Sequence, residues 1–394
     1  MADWHGFLSG AVQTLRRGRM AMAVIGAAIA GAAPAAPDAR LRHARGPRLL
    51  WHVAGEGRGT PALDVATAYF LSTRHEVVAV HRRTGAVRWR HSTGEPGQTT
   101  AGSAISVVDN VVIAGDYNVL AFDRADGTIR WRFVPAEGYG PGLYLGGAVG
   151  GLVFAGSPAA RLYAIDVASG GLKWFAAISS EPETTVYAPV ADEAGVVAAY
   201  MKFPAPGAGG IASFEPGTGR QQWHAAFPAR SGPASRPAGG PLLVDGWVVA
   251  TSGDGAIHGF DRRDGALQWT IPSLNDAGAG PWGVTSQDFR ALARVGPTLF
   301  AGSLTGLTSA YRLATRAERW RRATVDASTS FGIGAVPELV YVPHFSGELV
   351  AVDGRDGSER WRLGRAAGFR WPPAVDGNRL YLAGSTGGFF AFLR

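Results

Sequence analysis

The sequence predicts an all-β chain: an eight-bladed β-propeller of four-stranded antiparallel blades, closed by an N-terminal strand in the last blade. Three observations predict it. A twelve-residue phrase ending in Trp recurs along the 394 residues, with successive tryptophans 38, 42, 43, 49, 46, 51 and 41 residues apart. A period of that size marks a stacked or radial repeat. Gly stands four residues before the Trp in six of the seven complete phrases, where it permits the positive φ of a tight hairpin. The two ends also complement each other: one carries a lone Trp-bearing strand, the other a blade that stops short of its Trp.

The phrases run in order as VAVHRRTGAVRW to Trp89, LAFDRADGTIRW to Trp131, YAIDVASGGLKW to Trp174 and ASFEPGTGRQQW to Trp223. HGFDRRDGALQW to Trp269, SAYRLATRAERW to Trp320 and VAVDGRDGSERW to Trp361 complete the set. Each holds an alternating apolar strand, a polar turn and a short strand; Leu120 and Phe122, then residues 123–127, then Ile129 and Trp131 show the order. Arg316 replaces the Gly of the sixth phrase, so a looser turn is expected there. A second hairpin precedes most phrases, as in residues 242–255 and 379–388. Two hairpins per period make the four strands of a blade. The last blade, from about Pro373 to Arg394, supplies three strands, and RLLWHVAG (residues 48–55) supplies the fourth with Trp51. Joining the ends removes an exposed sheet edge. An open solenoid or a two-sheet sandwich is the alternative, with periods that are usually shorter.

Residues 1–36 read as a secretory signal peptide: Arg16, Arg17 and Arg19, then the apolar run Met20 to Ala32, then Ala33-Pro34-Ala35. That run is too short to serve as an integral membrane span. Arg16-Arg17 suggests the twin-arginine route, although Leu15 and Arg19 fit its pattern poorly; a disordered Ala-rich extension on a cytosolic protein is the competing reading. Residues 37–47 form a polar linker and 48–394 the propeller. The formal charge of +7 sits mainly in residues 1–48, where seven Arg meet two Asp, leaving +2 on the propeller. Its Arg residues are scattered rather than clustered, which argues against nucleic-acid binding. There is no Cys, hence no disulfide and no c-type haem attachment.

The A-x-D-x-x-(T/S/D)-G-x-x-x-W phrase resembles the repeat of the pyrroloquinoline-quinone-like propellers over residues 48–394. The resemblance implies a girdle of Trp51, Trp89, Trp131, Trp174, Trp223, Trp269, Trp320 and Trp361, each packed between blades and hydrogen-bonded by a turn. Asp123, Asp166, Asp261 and Asp353 match the family's acidic position; His81, Glu215 and Arg312 depart from it, putting docking in blades one, four and six in question. In size and blade number the chain is also similar to the outer-membrane assembly propellers, although the Cys that a lipoprotein acylates is missing. Quinoprotein alcohol dehydrogenases of this family hold their quinone beside a Ca²⁺ and, in many members, a vicinal disulfide. This chain has no Cys pair and few carboxylates for a cation that takes six to eight oxygens. Asn275 and Asp276 are the nearest candidates, and a turn accounts for them better. Neither quinone nor calcium is therefore expected, and no catalytic residue is assigned.

Function is expected at the channel mouth, where the loops leading into each blade gather. They carry the non-repeating aromatic and charged residues: Glu183, Trp282, Asp288, Arg290, Arg370 and Trp371. His344 joins them, in a turn where related blades carry Ala-Gly-Ser. Arg290 and Arg370 favour a carboxylate-bearing partner through bidentate hydrogen bonds. The expectation is an exported, monomeric, non-catalytic scaffold for a protein partner or an anionic small ligand. The alternative is a propeller enzyme, either a quinone-dependent oxidoreductase or a lyase or hydrolase acting on a small metabolite, since one architecture hosts many functions.

Overall fold

Each sequence period lays down four strands in chain order, from the channel outward. A computed structural model describes residues 46–94, 104–136, 142–180, 184–202, 209–228, 240–252, 256–272, 289–303, 306–323 and 332–394; residues 1–36, where the sequence predicts a signal peptide, lie outside the described residues. Blade 2 is typical, with strands Ala104–Val108, Val111–Gly115, Val119–Asp123 and Ile129–Phe133. The first strands of neighbouring blades touch one another, which places them innermost. The two middle strands are almost wholly buried, whereas the outermost shows mainly its Trp to the interior.

Period-2 alternation explains why the middle strands read as continuous apolar runs. In blade 2, Val112, Ala114, Leu120 and Phe122 pack on Tyr69, Leu71, Val77 and Ala79 of blade 1. The alternate residues Val111, Ile113, Val119 and Ala121 pack on Val153, Ala155, Tyr163 and Ile165 of blade 3. Both faces of each sheet are therefore core.

The ring closes as the two ends predict. Strand Arg48–Val53 pairs antiparallel with Gly388–Leu393, Trp51 opposite Ala391 and Val53 opposite Phe389. Trp51, Tyr381, Phe389 and Ala391 then pack on Ala68, Phe70, Val78 and Val80 of blade 1. Blade 4 differs from the rest: its inner strand is split into Thr184–Val186 and Val190–Asp192, both paired with Gly195–Lys202. The break contains Pro189, which has no N–H to give a ladder. Its carbonyl instead accepts the N–H of Gly147 in blade 3.

Because the strands alternate in direction, the first-to-second and third-to-fourth connections share one face of the ring, here the turn face. The second-to-third turns and the blade-to-blade connections share the other, the loop face.

The tryptophan girdle is present and its rule is simple. Among the described residues six indole N–H groups donate to a carbonyl in the next blade, one residue after the acidic position. Trp51 bonds Arg82 at 2.9 Å, Trp89 bonds Arg124 at 3.2 Å, Trp131 bonds Val167 at 2.9 Å and Trp174 bonds Pro216 at 2.8 Å. Trp223 bonds Arg262 at 2.9 Å and Trp320 bonds Gly354 at 3.1 Å. The acceptor is backbone, so His81 and Glu215 leave docking intact. The acidic side chain acts elsewhere, within its own turn: Asp123, Asp166, Asp261 and Asp353 each accept a backbone N–H there. Side chains reinforce four seams, where Arg82 pairs with Asp376, Arg124 with Asp64, Arg262 with Asp192 and Arg294 with Asp245 of the preceding blade.

Blade 6 is the exception, in an unexpected way. Its turn is not loosened: Arg316 takes the same left-handed conformation, φ 60°, and makes the same N–H bond to Arg312. What changes is the tryptophan it faces. At Gly127, φ 79°, a Cβ would lie 2.5 Å from the Trp89 ring. Arg316 has that Cβ, and the Trp269 indole N–H has no partner among the described residues. Trp269 sits instead over Gly259, where a Cβ would come 2.0 Å from its ring. The residues opposite the other tryptophans are Ala, or Ser in blade 4. The Arg316 guanidinium lies 5.5 Å from the Trp269 ring centroid. The loss of one glycine is thus matched by the gain of another.

Two outcomes follow. Gly259→Ala should destabilise by about 1–3 kcal/mol through overpacking. In an Arg316→Gly background, where Trp269 can move outward, its cost should fall by about 1 kcal/mol or more; additive urea-unfolding energies would contradict the coupling. The second concerns acid. Hydrogen bonds from Ser169 push the Asp166 carboxyl down to about 2, and those from Arg263 do the same for Asp261. Folded values below the ordinary carboxylate value mean that the stabilisation is present above about pH 4 and is lost as pH falls toward about 2. The gap in melting temperature between the wild type and Asp261→Asn should therefore be full at pH 6 and close as the solution approaches pH 2.

Candidate functional site

The loop face holds a buried charged cluster between blades 1 and 2. Arg58, second residue of the inner strand Gly57–Leu63, donates through Nη2 to Asp116 Oδ2 at 2.8 Å. The Nδ1 of His75 meets the same oxygen at 2.6 Å. Side-chain exposures are 5 % for Arg58, 9 % for His75 and 0 % for Asp116. Tyr117 stacks on the His75 ring, with centroids 6.2 Å apart. His75 occupies a left-handed position, φ 58°, where blades 6 and 7 have Gly306 and Gly347. Its Nε2 and the Oδ1 of Asp116 have no partner among the described residues. An imidazole oriented by a carboxylate is suited to proton transfer, but this one is sealed in the seam, with its second nitrogen buried. The cluster ties two blades together.

A second imidazole chain lies in blade 5. Ser252 Oγ and His258 Nε2 are 2.8 Å apart, and His258 Nδ1 and Thr270 Oγ1 are 2.9 Å apart. A hydroxyl, not a carboxylate, stands behind this ring, and both Ser252 and His258 are buried. Among the described residues no three His, Asp or Glu side chains gather as a metal would require. The chain has no Cys for a vicinal disulfide, and Asn275 and Asp276, the nearest calcium candidates in the sequence, lie outside the described residues.

Of the seven mouth residues, three fall on connected loops. His344 lies in the turn after strand Leu339–Pro343 and is fully buried; its N–H donates to Glu348 O at 2.9 Å. Arg370 and Trp371 lie on the connection from blade 7 to blade 8, the former exposed and the latter half-buried. The N–H of Phe369 donates to Gly347 O at 2.9 Å, tying that connection to the His344 turn. Phe345 is 41 % exposed on the same turn. Arg362 and Arg365 share Glu348, at 3.5 and 3.4 Å, while Arg370 has no partner among the described residues. Arg290 is the second residue of the inner strand Phe289–Val295 of blade 6, with its side chain outside the described set. Glu183, Trp282 and Asp288 lie outside the described residues.

Sequence reasoning missed Arg58, His75 and Asp116, although a signal existed. Asp116 fills the repeat position that is Ser157, Ser303 or Ser385 elsewhere, the same departure that singles out His344. Asp116→Ala should cost about 3–5 kcal/mol in chemical denaturation, because it removes the carboxylate shared by two buried basic groups. Arg370→Ala should stay within about 0.5 kcal/mol of the wild type.

The family model described as outer membrane protein assembly factor BamB matches residues 43–121, 115–336 and 305–393. No curated protein gives a match. Among solved structures, BamB from Moraxella catarrhalis is 18% identical with a TM-score of 0.66, covering 88% of this chain and 98% of that one. Quinohemoprotein alcohol dehydrogenase from Comamonas testosteroni is 14% identical with a TM-score of 0.68, covering 89% of this chain and 76% of that one. The computationally designed Ika8 protein is 15% identical with a TM-score of 0.66, covering 88% and 100%. At such identities these likenesses speak for the propeller fold alone. With the family model spanning nearly the whole ring, the chain belongs to the BamB family of pyrroloquinoline-quinone-like β-propellers.

Proposed function

We propose that this protein is an exported, non-catalytic propeller that holds a protein partner against its loop face, over blades 7 and 8. One observation carries the reading: Arg370 is an exposed cation without a partner among the described residues, beside Trp371, on a connection anchored to the Phe345 turn. Aromatic and Arg side chains fixed to a rigid scaffold are the usual anchors of protein interfaces. A guanidinium with no internal carboxylate suits an acidic group on the partner. Family membership supports a scaffold, since the matching model is that of an assembly factor. Export rests on the Arg16-Arg17 flank and apolar run of the leader. Among the described residues no helix is long and apolar enough to cross a membrane.

Affinity capture of the tagged full chain from cell envelopes tests this. Arg370→Ala combined with Trp371→Ala should lose the captured partner while the melting temperature stays within a few degrees. Arg290→Ala with Arg370→Ala should behave alike. Undiminished capture by both double variants would refute the loop-face reading. A quinone-type absorbance change on adding quinone and Ca²⁺ would favour the oxidoreductase alternative.

A further inference from the structure

The turn face carries a groove of about 550 Å³ at the seam of blades 1 and 2. Its walls include the hairpin tip Asp64-Val65-Ala66, Asn110, Arg88, Arg124 and Arg130. Both carboxylates at the groove are already engaged. Asp64 accepts from Tyr69 Oη at 2.7 Å and from the N–H groups of Ala66 and Thr67 at 2.8 and 2.6 Å, with Arg124 at 3.8 Å. Asp123 accepts from Arg130 at 3.0 and 2.5 Å and from the Ala125 N–H at 2.8 Å.

Arg88 is different, and the repeat shows why. In blades 2, 3 and 7 the residue just before the Trp is basic and pairs with the acidic position of its own blade. Arg130 pairs with Asp123, Lys173 with Asp166 at 3.2 Å, and Arg360 with Asp353. In blade 1 that position is His81, whose Nδ1 instead lies 3.0 Å from Thr84 Oγ1. Arg88 is consequently an exposed cation without a partner among the described residues. In the same groove Val65 is 97 % exposed, the most of any large hydrophobic residue described.

From this we propose that the groove is a second binding site, separate from the loop face, for an extended acidic segment of a partner protein. A carboxylate of that segment sits on the Arg88 guanidinium, and an adjacent aliphatic side chain covers Val65. Three Arg against two neutralised Asp leave a positive groove, so charge complementarity selects an acidic occupant. The apolar tip rewards an amphipathic segment over a bare anion.

The test uses the full chain and a labelled, end-capped hexapeptide alternating Glu and Val, followed by fluorescence anisotropy. Binding should be salt-sensitive and should fall about tenfold in Arg88→Ala. It should fall equally in His81→Asp, which restores the carboxylate that blades 2, 3 and 7 use and keeps Arg88 in place. Neither variant should lower the melting temperature, and the matching Lys–Val peptide should not bind. The proposal is overturned if the Glu–Val peptide does not bind, or if its binding is indifferent to both substitutions. It is equally overturned if phosphatidylglycerol vesicles bind through Arg88 and the peptide fails to compete, which would make the groove a membrane contact.

Discussion

The ring depends on one contact made again and again: an indole N–H reaching into the next blade and ending on a turn carbonyl. It is a hydrogen bond and a packing contact at once. A buried N–H without an acceptor carries a desolvation cost of about 1–3 kcal/mol. The ring that bears it covers the turn so closely that the residue beneath can have no Cβ. Trp, Gly and the spacing between them are therefore a single requirement. The residue whose carbonyl accepts is free to vary, as Arg82, Val167, Pro216 and Gly354 show. Blade 6 shows what breaking the rule entails. With Arg316 in place of Gly, the indole loses its acceptor and the tryptophan's own blade makes room through Gly259.

The girdle also divides the molecule into two unlike faces. Repeated turns, four of them stitched by an Asp to their own backbone, with four seams joined by an Arg to the preceding blade, occupy one face. The other receives connections that vary in length and composition, because nothing in the docking contact constrains them. Chemical variety accumulates where the repeat exerts least control, and a loop can change there without disturbing the core. The Arg58–His75–Asp116 cluster borders that variable face and fastens two blades through charge rather than through an indole.

Much of this was legible in the sequence because it is periodic. Blade number, strand content and closure by Trp51 follow from one phrase and its truncation at the two ends. The split inner strand of blade 4 was not legible, since Pro189 lies in a segment without a phrase. The buried cluster was hidden for another reason. Asp116 lies 58 residues from Arg58 and 41 from His75, and only the winding of the ring brings them together. Of the mouth residues, sequence could place Arg370 and Trp371 on a connection between blades but could not foresee the Phe369–Gly347 hydrogen bond that ties it to the His344 turn. Nor could it foresee that His344 itself would be buried.

Departures from the repeat consequently carry more information than the repeat. A substitution at a periodic position breaks an interaction that other blades keep, and what becomes of the abandoned partner distinguishes structure from function. Where Arg316 displaces Trp269, a second residue absorbs the change: Gly259 refits the core and the indole stays buried. Where Asp116 replaces a serine, its new charge meets Arg58 inside the protein. Where His81 replaces an aspartate, Arg88 gains no internal substitute and stays at the surface, in one groove with Val65. The first two changes are resolved within the fold. The third leaves a cation of the kind that blades 2, 3 and 7 neutralise internally, and that imbalance points outward to a partner.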